Sequence, residues 1–105
     1  MKKSIILFLD TSKREMIKVS LKINGAKTVF DEIIQNTRAQ NGLKTIEEIL
    51  KENNLQLSDL TEIKVNCGPG SFIGLRVGVT IANTLAFLLH IPINGQKPPL
   101  LPKYE

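Results

Sequence analysis

The chain has 105 residues, a formal net charge of +4 and an apolar content of 42%. This length allows one domain with a thin core, and the balance of apolar and charged residues excludes a disordered chain. The lysines are spread along the sequence, so we interpret the positive charge as ordinary solvated surface and keep an RNA-binding patch as the alternative.

The N-terminal part of the chain predicts a strand followed by a hairpin. Residues 4–9, SIILFL, are apolar on both faces, which favours a central strand covered on two sides. Residues 16–23 alternate between apolar and polar, and Asn24-Gly25 favours a two-residue type I′ turn. With that turn, Lys18 would oppose Asp31 on the returning strand.

The remainder alternates between helices and strands. We expect a helix over 42–53, a strand over 62–66, a long helix over 72–89 and a short strand over 91–94. This order predicts an α/β fold, βββαβαβ, with a mixed sheet and helices mainly on one face. We expect one lobe over residues 1–95 and a proline-rich tail over 96–105.

Two loops should meet at one edge of the sheet, because the first strand and strand 62–66 are predicted to be parallel neighbours. Ligands favour that edge in α/β sheets, and a glycine-rich turn that opens a helix can bind an anion. The alternative is a plain turn in which Ser71 caps the helix. Arg76 near the helix start would need a negative partner, unless it extends into water. The possible phosphate-binding residues are Asp10, Thr11, Ser12, Gly68, Gly70, Ser71 and Arg76.

Helix 72–89 is apolar around more of its circumference than packing on a sheet requires. Small residues recur every four positions and would let another backbone approach closely. Arg76 and Asn83 within the helix disfavour a membrane span. We therefore predict a protein interface, with coverage by the chain's own fold as the alternative. Its residues would be Gly74, Val77, Gly78, Ile81, Ala82, Leu85 and Leu89, with Ile46 and Leu50 of the preceding helix.

Three short motifs carry a resemblance to a known family. They are LDTS at 9–12, SDL at 58–60 and GPGSFIGLR at 68–76. With the hairpin between them, they resemble the N-terminal lobe of the TsaB (YeaZ) family, over residues 1–95. The resemblance implies an actin/Hsp70-like ATPase lobe with an RNase-H-like core. It also implies a role in making threonylcarbamoyladenosine in tRNA.

The resemblance further implies a partner subunit rather than an enzyme. Proteins of this family form a helical bundle with themselves or with the paralogue TsaD, which carries the metal and the chemistry. We therefore expect a homodimer or a TsaD-like partner, only indirect contact with tRNA, and no cofactor. The alternative is a phosphate- or nucleotide-binding enzyme that takes ATP. No metal site is expected, because His90 has no ligand near it in sequence, and the single Cys67 favours a reducing cytoplasm.

The sequence departs from the family pattern in three places. Ile73 stands where the family usually has Thr, and residues 36–42, NTRAQNG, replace a usual His-Ser stretch. The family's second lobe would begin where this sequence ends, and one lobe offers only half of a nucleotide cleft. A second face of the sheet, with Ile6 and Phe8, then needs cover. We expect Leu100 and Leu101 of the tail to supply it, with a partner protein as the alternative.

Overall fold

In the residues that the structure describes, the fold is a four-stranded mixed sheet with two α-helices and one short 3-10 helix, Leu57–Asp59. The computed structural model describes residues 4–13, 16–25, 27–34, 39–66, 68 and 72–100. The strand order is β3-β2-β1-β4, with β1 antiparallel to β2 and parallel to β4. The predicted α/β class is confirmed. The elements are β1 (Ile5–Asp10), β2 (Met16–Ile23), β3 (Lys27–Ile34), α1 (Ala39–Glu52), β4 (Glu62–Val65) and α2 (Phe72–Leu89).

The core lies between the sheet and the helices. Along β1 the side chains alternate, so that Ile5, Leu7 and Leu9 are buried while Ile6 and Phe8 are half-buried. The buried side chains of the sheet form one cluster with those of both helices. Each fully buried Leu or Ile contributes about 1.5–3 kcal/mol relative to an exposed one. The stability of β1 therefore depends mainly on the face of the sheet that the helices cover.

The two helices lie side by side on that face. α1 packs over β2 and β3, whereas α2 packs over β1 and β4, and the helices contact each other. In α2, Leu75, Val79, Ala82 and Ala86 are buried at the spacing of one helical face. The predicted placement of the helices on one face is confirmed.

The hairpin forms where Asn24-Gly25 predicted it, but with a different register. Asn24 and Gly25 have φ angles of 52° and 74°, the positive values that this pair tolerates. Ile23 pairs with Lys27, so three residues form the loop, and Lys18 opposes Glu32 instead of Asp31. The predicted two-residue turn is wrong, because the third loop residue shifts every partner on β3 by one position.

The predicted last strand is reduced to a single bridge beside β4. Ile93 pairs in parallel with Ile63. The Asn94 side chain then takes the place of a strand: its Oδ1 accepts the Val65 N–H at 2.8 Å, and its Nδ2 donates to the Val65 carbonyl at 3.0 Å. Asn94 has a positive φ of 50°, which turns the chain away from the sheet. An amide side chain thus closes the outer edge of β4.

The described part of the tail, residues 96–100, lies against α2, on the helix side of the sheet. Leu100 is buried and belongs to the main core cluster. Asn83 of α2 holds its backbone: the Leu100 N–H donates to Asn83 Oδ1 at 2.7 Å, and Asn83 Nδ2 donates to the Leu100 carbonyl at 2.8 Å. The expectation that Leu100 covers the second face is therefore wrong, while Leu101 lies outside the described residues. On that second face the Lys64 ammonium lies 5.7 Å from the centre of the Phe8 ring.

Replacing Asn83 by Ala should loosen the tail. It would leave the N–H and carbonyl of Leu100 without these partners, and we expect the free energy of unfolding to fall by about 1–3 kcal/mol. Urea denaturation measures this change. The matched control is Thr84→Ala on the next, exposed position of α2. Equal losses in the two variants would contradict the role given to Asn83.

Candidate functional site

A hydrogen-bonded network joins the ends of β1 and β4. Asp10 Oδ1 accepts the Ser12 N–H at 2.9 Å and the Asn66 side-chain amide at 3.3 Å. The Asn66 Oδ1 in turn accepts the Gly68 N–H at 3.1 Å. Because β1 and β4 are parallel neighbours, their carboxyl ends meet at one edge of the sheet. The predicted meeting of the two loops is confirmed for Asp10, Ser12 and Gly68.

The Asp10 carboxylate is stabilised in its charged form. Burial, the largest single influence, acts to raise its pKa. The Ser12 hydroxyl and N–H, the Asn66 amide and the charge of Lys18 act in the opposite direction. Together they prevail, and the pKa of Asp10 is lowered from its ordinary value. Asp10 therefore stays ionised and holds the two strand ends together.

Thr11, the next residue, is fully buried and points toward α2. A Cβ added at Gly78 would collide with the Thr11 hydroxyl oxygen. The helix backbone therefore approaches the end of β1 more closely than any side chain at position 78 would allow. Thr11 is part of this packing contact and is not exposed at the sheet edge.

The remaining predicted phosphate ligands are not gathered into one cradle in the described part of the chain. Gly68 has a φ of 127°, as a sharp turn requires, but its N–H is already bonded to Asn66. Arg76 is exposed on the first half of α2. Gly70 and Ser71 lie outside the described residues, as does the predicted helix cap at Ser71. This edge is held together by its own side chains.

Comparisons of sequence and of structure with known proteins agree with one another. The family profile described as TsaD, tRNA N6-adenosine threonylcarbamoyltransferase, matches residues 23–95. The tRNA threonylcarbamoyladenosine biosynthesis protein TsaB of Haemophilus influenzae is 41% identical over 88 residues, 84% of this chain and 37% of that protein. The solved structure of YeaZ from Pseudomonas aeruginosa superimposes with a TM-score of 0.77 at 33% identity, over 86% of this chain and 42% of that one.

The chain belongs to the TsaB (YeaZ) family. It is also similar to a tRNA N6-adenosine threonylcarbamoyltransferase of Listeria monocytogenes, which is 39% identical over 67 residues, 64% of this chain and 20% of that protein. The chain thus spans less than half the length of the curated relatives it matches. The match supports the actin-like lobe that the motifs predicted.

The TsaB-like helices hide most of the predicted interface within the chain itself. The sheet lies beneath α2, α1 packs beside it, and Leu100 covers part of its other flank. Six of the nine residues predicted for the interface are therefore covered by the chain's own fold, as the alternative reading expected for them. Val77 and Leu89 remain half-buried, and the packing of Gly74 lies outside the described part of the chain. The buried members of the predicted interface set are Gly78, Ile81, Ala82, Leu85, Ile46 and Leu50.

Among the described side chains of α2, the large apolar ones that are exposed were not predicted as interface residues. Phe87 is 70% exposed and Leu88 is 65% exposed. Phe87 follows Arg76 by eleven positions and Thr80 by seven, so it falls on the polar stripe of the helix. An aromatic residue within a polar stripe was the signal available in the sequence. It marks a candidate contact surface on this TsaB-family lobe.

Neither a metal-binding cluster nor a membrane-spanning helix is present among the described residues. No three His, Cys, Asp or Glu side chains there come together as a metal site would require. Within the same residues, no helix combines the length and apolar character needed to cross a membrane.

Gly78→Ala should destabilise the lobe, against the usual preference of helices. In a helix interior Ala is favoured over Gly by about 0.5–1 kcal/mol, but overpacking a core costs about 1–3 kcal/mol. The added methyl meets Thr11, so we expect a net loss on urea denaturation. The double variant Thr11→Ala/Gly78→Ala should recover part of it. Additive losses in this cycle would contradict the proposed contact.

Asp10 should make stability sensitive to acid. Because its pKa is lower in the folded chain, its contribution is fully present above the unfolded value of about 3.9 and is lost as the pH falls through the folded value. Unfolding free energies between about pH 6 and pH 2 should therefore fall more steeply for the natural chain than for Asp10→Asn. If the two proteins give parallel curves of unfolding free energy against pH, Asp10 contributes nothing to the loss of stability in acid.

Proposed function

We propose that this chain is a TsaB-like partner subunit in the biosynthesis of threonylcarbamoyladenosine in tRNA. It would associate through α1 and α2 with a TsaD-like protein or with a second copy of itself. The names of its relatives and the family profile over residues 23–95 support the pathway. The lone Cys67 is consistent with a cytoplasmic setting.

The observation that carries this proposal is the placement of both helices side by side on one face of the sheet. Their outer sides are not covered by another described element. On α2 that side presents the small Thr80 and Thr84 with half-buried Val77, and on α1 it presents Glu48 and Lys51. Small side chains on a helix surface allow another helix to approach closely. A second helix pair can therefore pack there as a bundle.

We assign the chain no catalytic residue in this proposal. The Asp10 network is satisfied by the chain's own donors, and Arg76 lies on the exposed surface of α2. The chemistry would then belong to the TsaD-like partner, and tRNA would be contacted only through that partner. No cofactor is assigned to this chain.

The phosphate- or nucleotide-binding alternative has less support. Its predicted donor Gly68 N–H is already bonded to Asn66, and the Asp10 carboxylate would repel a phosphate. Titration calorimetry with ATP and magnesium distinguishes the two functions. A saturable heat that Asp10→Ala removes would favour the enzyme over the partner subunit.

Thr80→Arg should disrupt the association and leave the fold intact. Thr80 is exposed in the middle of α2, so the arginine adds bulk and charge to the proposed contact without entering the core. We expect the affinity for a TsaD-like protein from the same source, or for a second copy, to fall at least about tenfold, or about 1.4 kcal/mol. Light scattering after size-exclusion chromatography and titration calorimetry measure this.

The control for Thr80→Arg is Ser58→Arg, which places the same side chain at an exposed position outside both helices. It should bind as the natural chain does. A natural chain that stays monomeric at high concentration and ignores the TsaD-like protein would refute the partner-subunit proposal. Substitutions at Gly78 or Ala82 cannot serve as this test, because both positions lie in the core.

A further inference from the structure

The two edges of the sheet differ in how their backbone groups are used. At the β4 edge, Ile93 forms a bridge with Ile63, and the Asn94 side chain bonds to both backbone groups of Val65. β3 is the strand at the opposite edge, and no strand among the described residues pairs with its outer side. An edge strand of eight residues is a template to which another strand can add.

The register of the sheet shows which backbone groups of β3 point outward. Asn24 donates its N–H to the Ser4 carbonyl at 2.6 Å, in line with the pairing of β1 and β2. Hydrogen-bonded and non-hydrogen-bonded pairs alternate in an antiparallel ladder, so the even-numbered residues of β2 bond to β1 and the odd-numbered ones bond to β3. On β3 their partners are also odd-numbered. The outward backbone groups therefore belong to the even-numbered residues, Thr28, Phe30, Glu32 and Ile34.

The charges on β3 identify a second copy of the chain as the added strand. Lys27 and Asp31 occupy the face of the sheet that the helices cover, at positions opposite Ile23 and Val19. A charge at such a position on an edge strand opposes pairing, unless the added strand brings the opposite charge. In an antiparallel two-fold arrangement centred on Val29, Lys27 of each copy stands opposite Asp31 of the other. β3 is therefore complementary to itself.

The neighbouring registers lack this complementarity. An arrangement centred on Phe30 would set both charges opposite apolar residues, Ile33 and Val29. One centred on Asp31 would set two carboxylates directly opposite each other, which is destabilising. The register centred on Val29 also places the charged residues in non-hydrogen-bonded pairs, where opposing side chains lie closer together. Charge and backbone bonding thus favour the same register.

The helices leave room for two copies to join in this way. α1 packs over β2 and β3, so in the two-fold arrangement the two α1 helices lie on the same side of the joined sheet, separated by two strand spacings. That separation is about 10 Å, within reach of the 8–10 Å at which helices pack. The exposed positions of α1 carry both signs of charge, with Lys44 and Lys51 beside Glu47 and Glu48. α2 lies over β1 and β4 and takes no part.

We propose that two copies of this chain join through β3, in the antiparallel register centred on Val29, and form one continuous sheet. We call this contact the β3 seam. It goes beyond the proposed association with a TsaD-like protein, which uses the outer sides of α1 and α2. Because the β3 seam leaves α2 free in both copies, a dimer formed in this way could hold two TsaD-like proteins.

The charged pairs can be tested with complementary variants of the full chain. Lys27→Asp and Asp31→Lys each set like charges opposite each other, so each variant alone should dimerise at least about tenfold more weakly than the natural chain. An equimolar mixture of the two should associate as tightly as the natural chain, because every charge then faces its opposite. Sedimentation equilibrium from micromolar to millimolar concentration measures these affinities. An affinity that mixing restores also excludes misfolding as the cause of the loss.

The backbone bonds can be tested at Thr28, which exchanges them with Phe30 of the second copy in the β3 seam. Thr28→Pro removes an outward N–H without breaking the ladder to β2, so the lobe should fold and stay monomeric. Thr28→Val keeps the N–H and is the matched control, which should dimerise as the natural chain does. Thermal melts check that both variants are folded. Amide hydrogen exchange at Phe30 should slow as the protein concentration rises, whereas exchange at Val29, which bonds to β2, should change less.

Three outcomes would overturn the proposal: a natural chain that stays monomeric at millimolar concentration, a dimer that Thr28→Pro leaves intact, or a mixture of charge variants that associates no more tightly than either variant alone. The result is independent of the TsaD-like association. Thr80→Arg should retain the β3 seam, and Thr28→Pro should retain binding of the TsaD-like protein. Loss of one kind of association alone therefore shows which of the two proposals has failed.

Discussion

The close approach of α2 to the end of β1 is the constraint on which the rest of the lobe depends. At this point the helix backbone at Gly78 meets the buried side chain of Thr11. The contact brings Val79, Ala82 and Ala86 down onto β1 and β4, where they join the core cluster. It also places the start of α2 near the edge where Asp10 and Gly68 lie. The packing of α2 on the sheet and the position of the predicted loop site thus both depend on the absence of a side chain at Gly78.

Asparagine side chains also bond to backbone groups of loops and strand edges, and three of them join segments distant in sequence. Asn66 links Asp10 to Gly68, Asn83 holds the backbone of Leu100, and Asn94 pairs with both backbone groups of Val65. An asparagine amide offers a donor and an acceptor like a peptide group, so it can close a strand edge or fix an irregular segment. These contacts order parts of the chain that no helix or strand includes.

The surfaces left over after this packing are what bear on function. Most residues that were predicted to form an interface are buried inside the lobe, so the available surface is the outer side of α1 and α2, which includes the exposed Phe87 and Leu88. The Asp10 edge, by contrast, is closed by its own hydrogen bonds. Among the described residues, Phe87 and Leu88 are the large apolar side chains that this lobe exposes to solvent.

Local patterns in the sequence determined the types of β1 to β4, α1 and α2, the bounds of α2 at 72–89 and the parallel pairing of β1 with β4. They also determined the family, because periodicity, turn residues and motifs are properties of neighbouring positions. Only the tertiary structure decided which apolar residues of α2 stay exposed. Ile81 and Phe87 are both apolar, yet packing against other elements buries the first and leaves the second in solvent. The hairpin register and the path of Leu100 were decided in the same way, since each depends on contacts between segments distant in sequence.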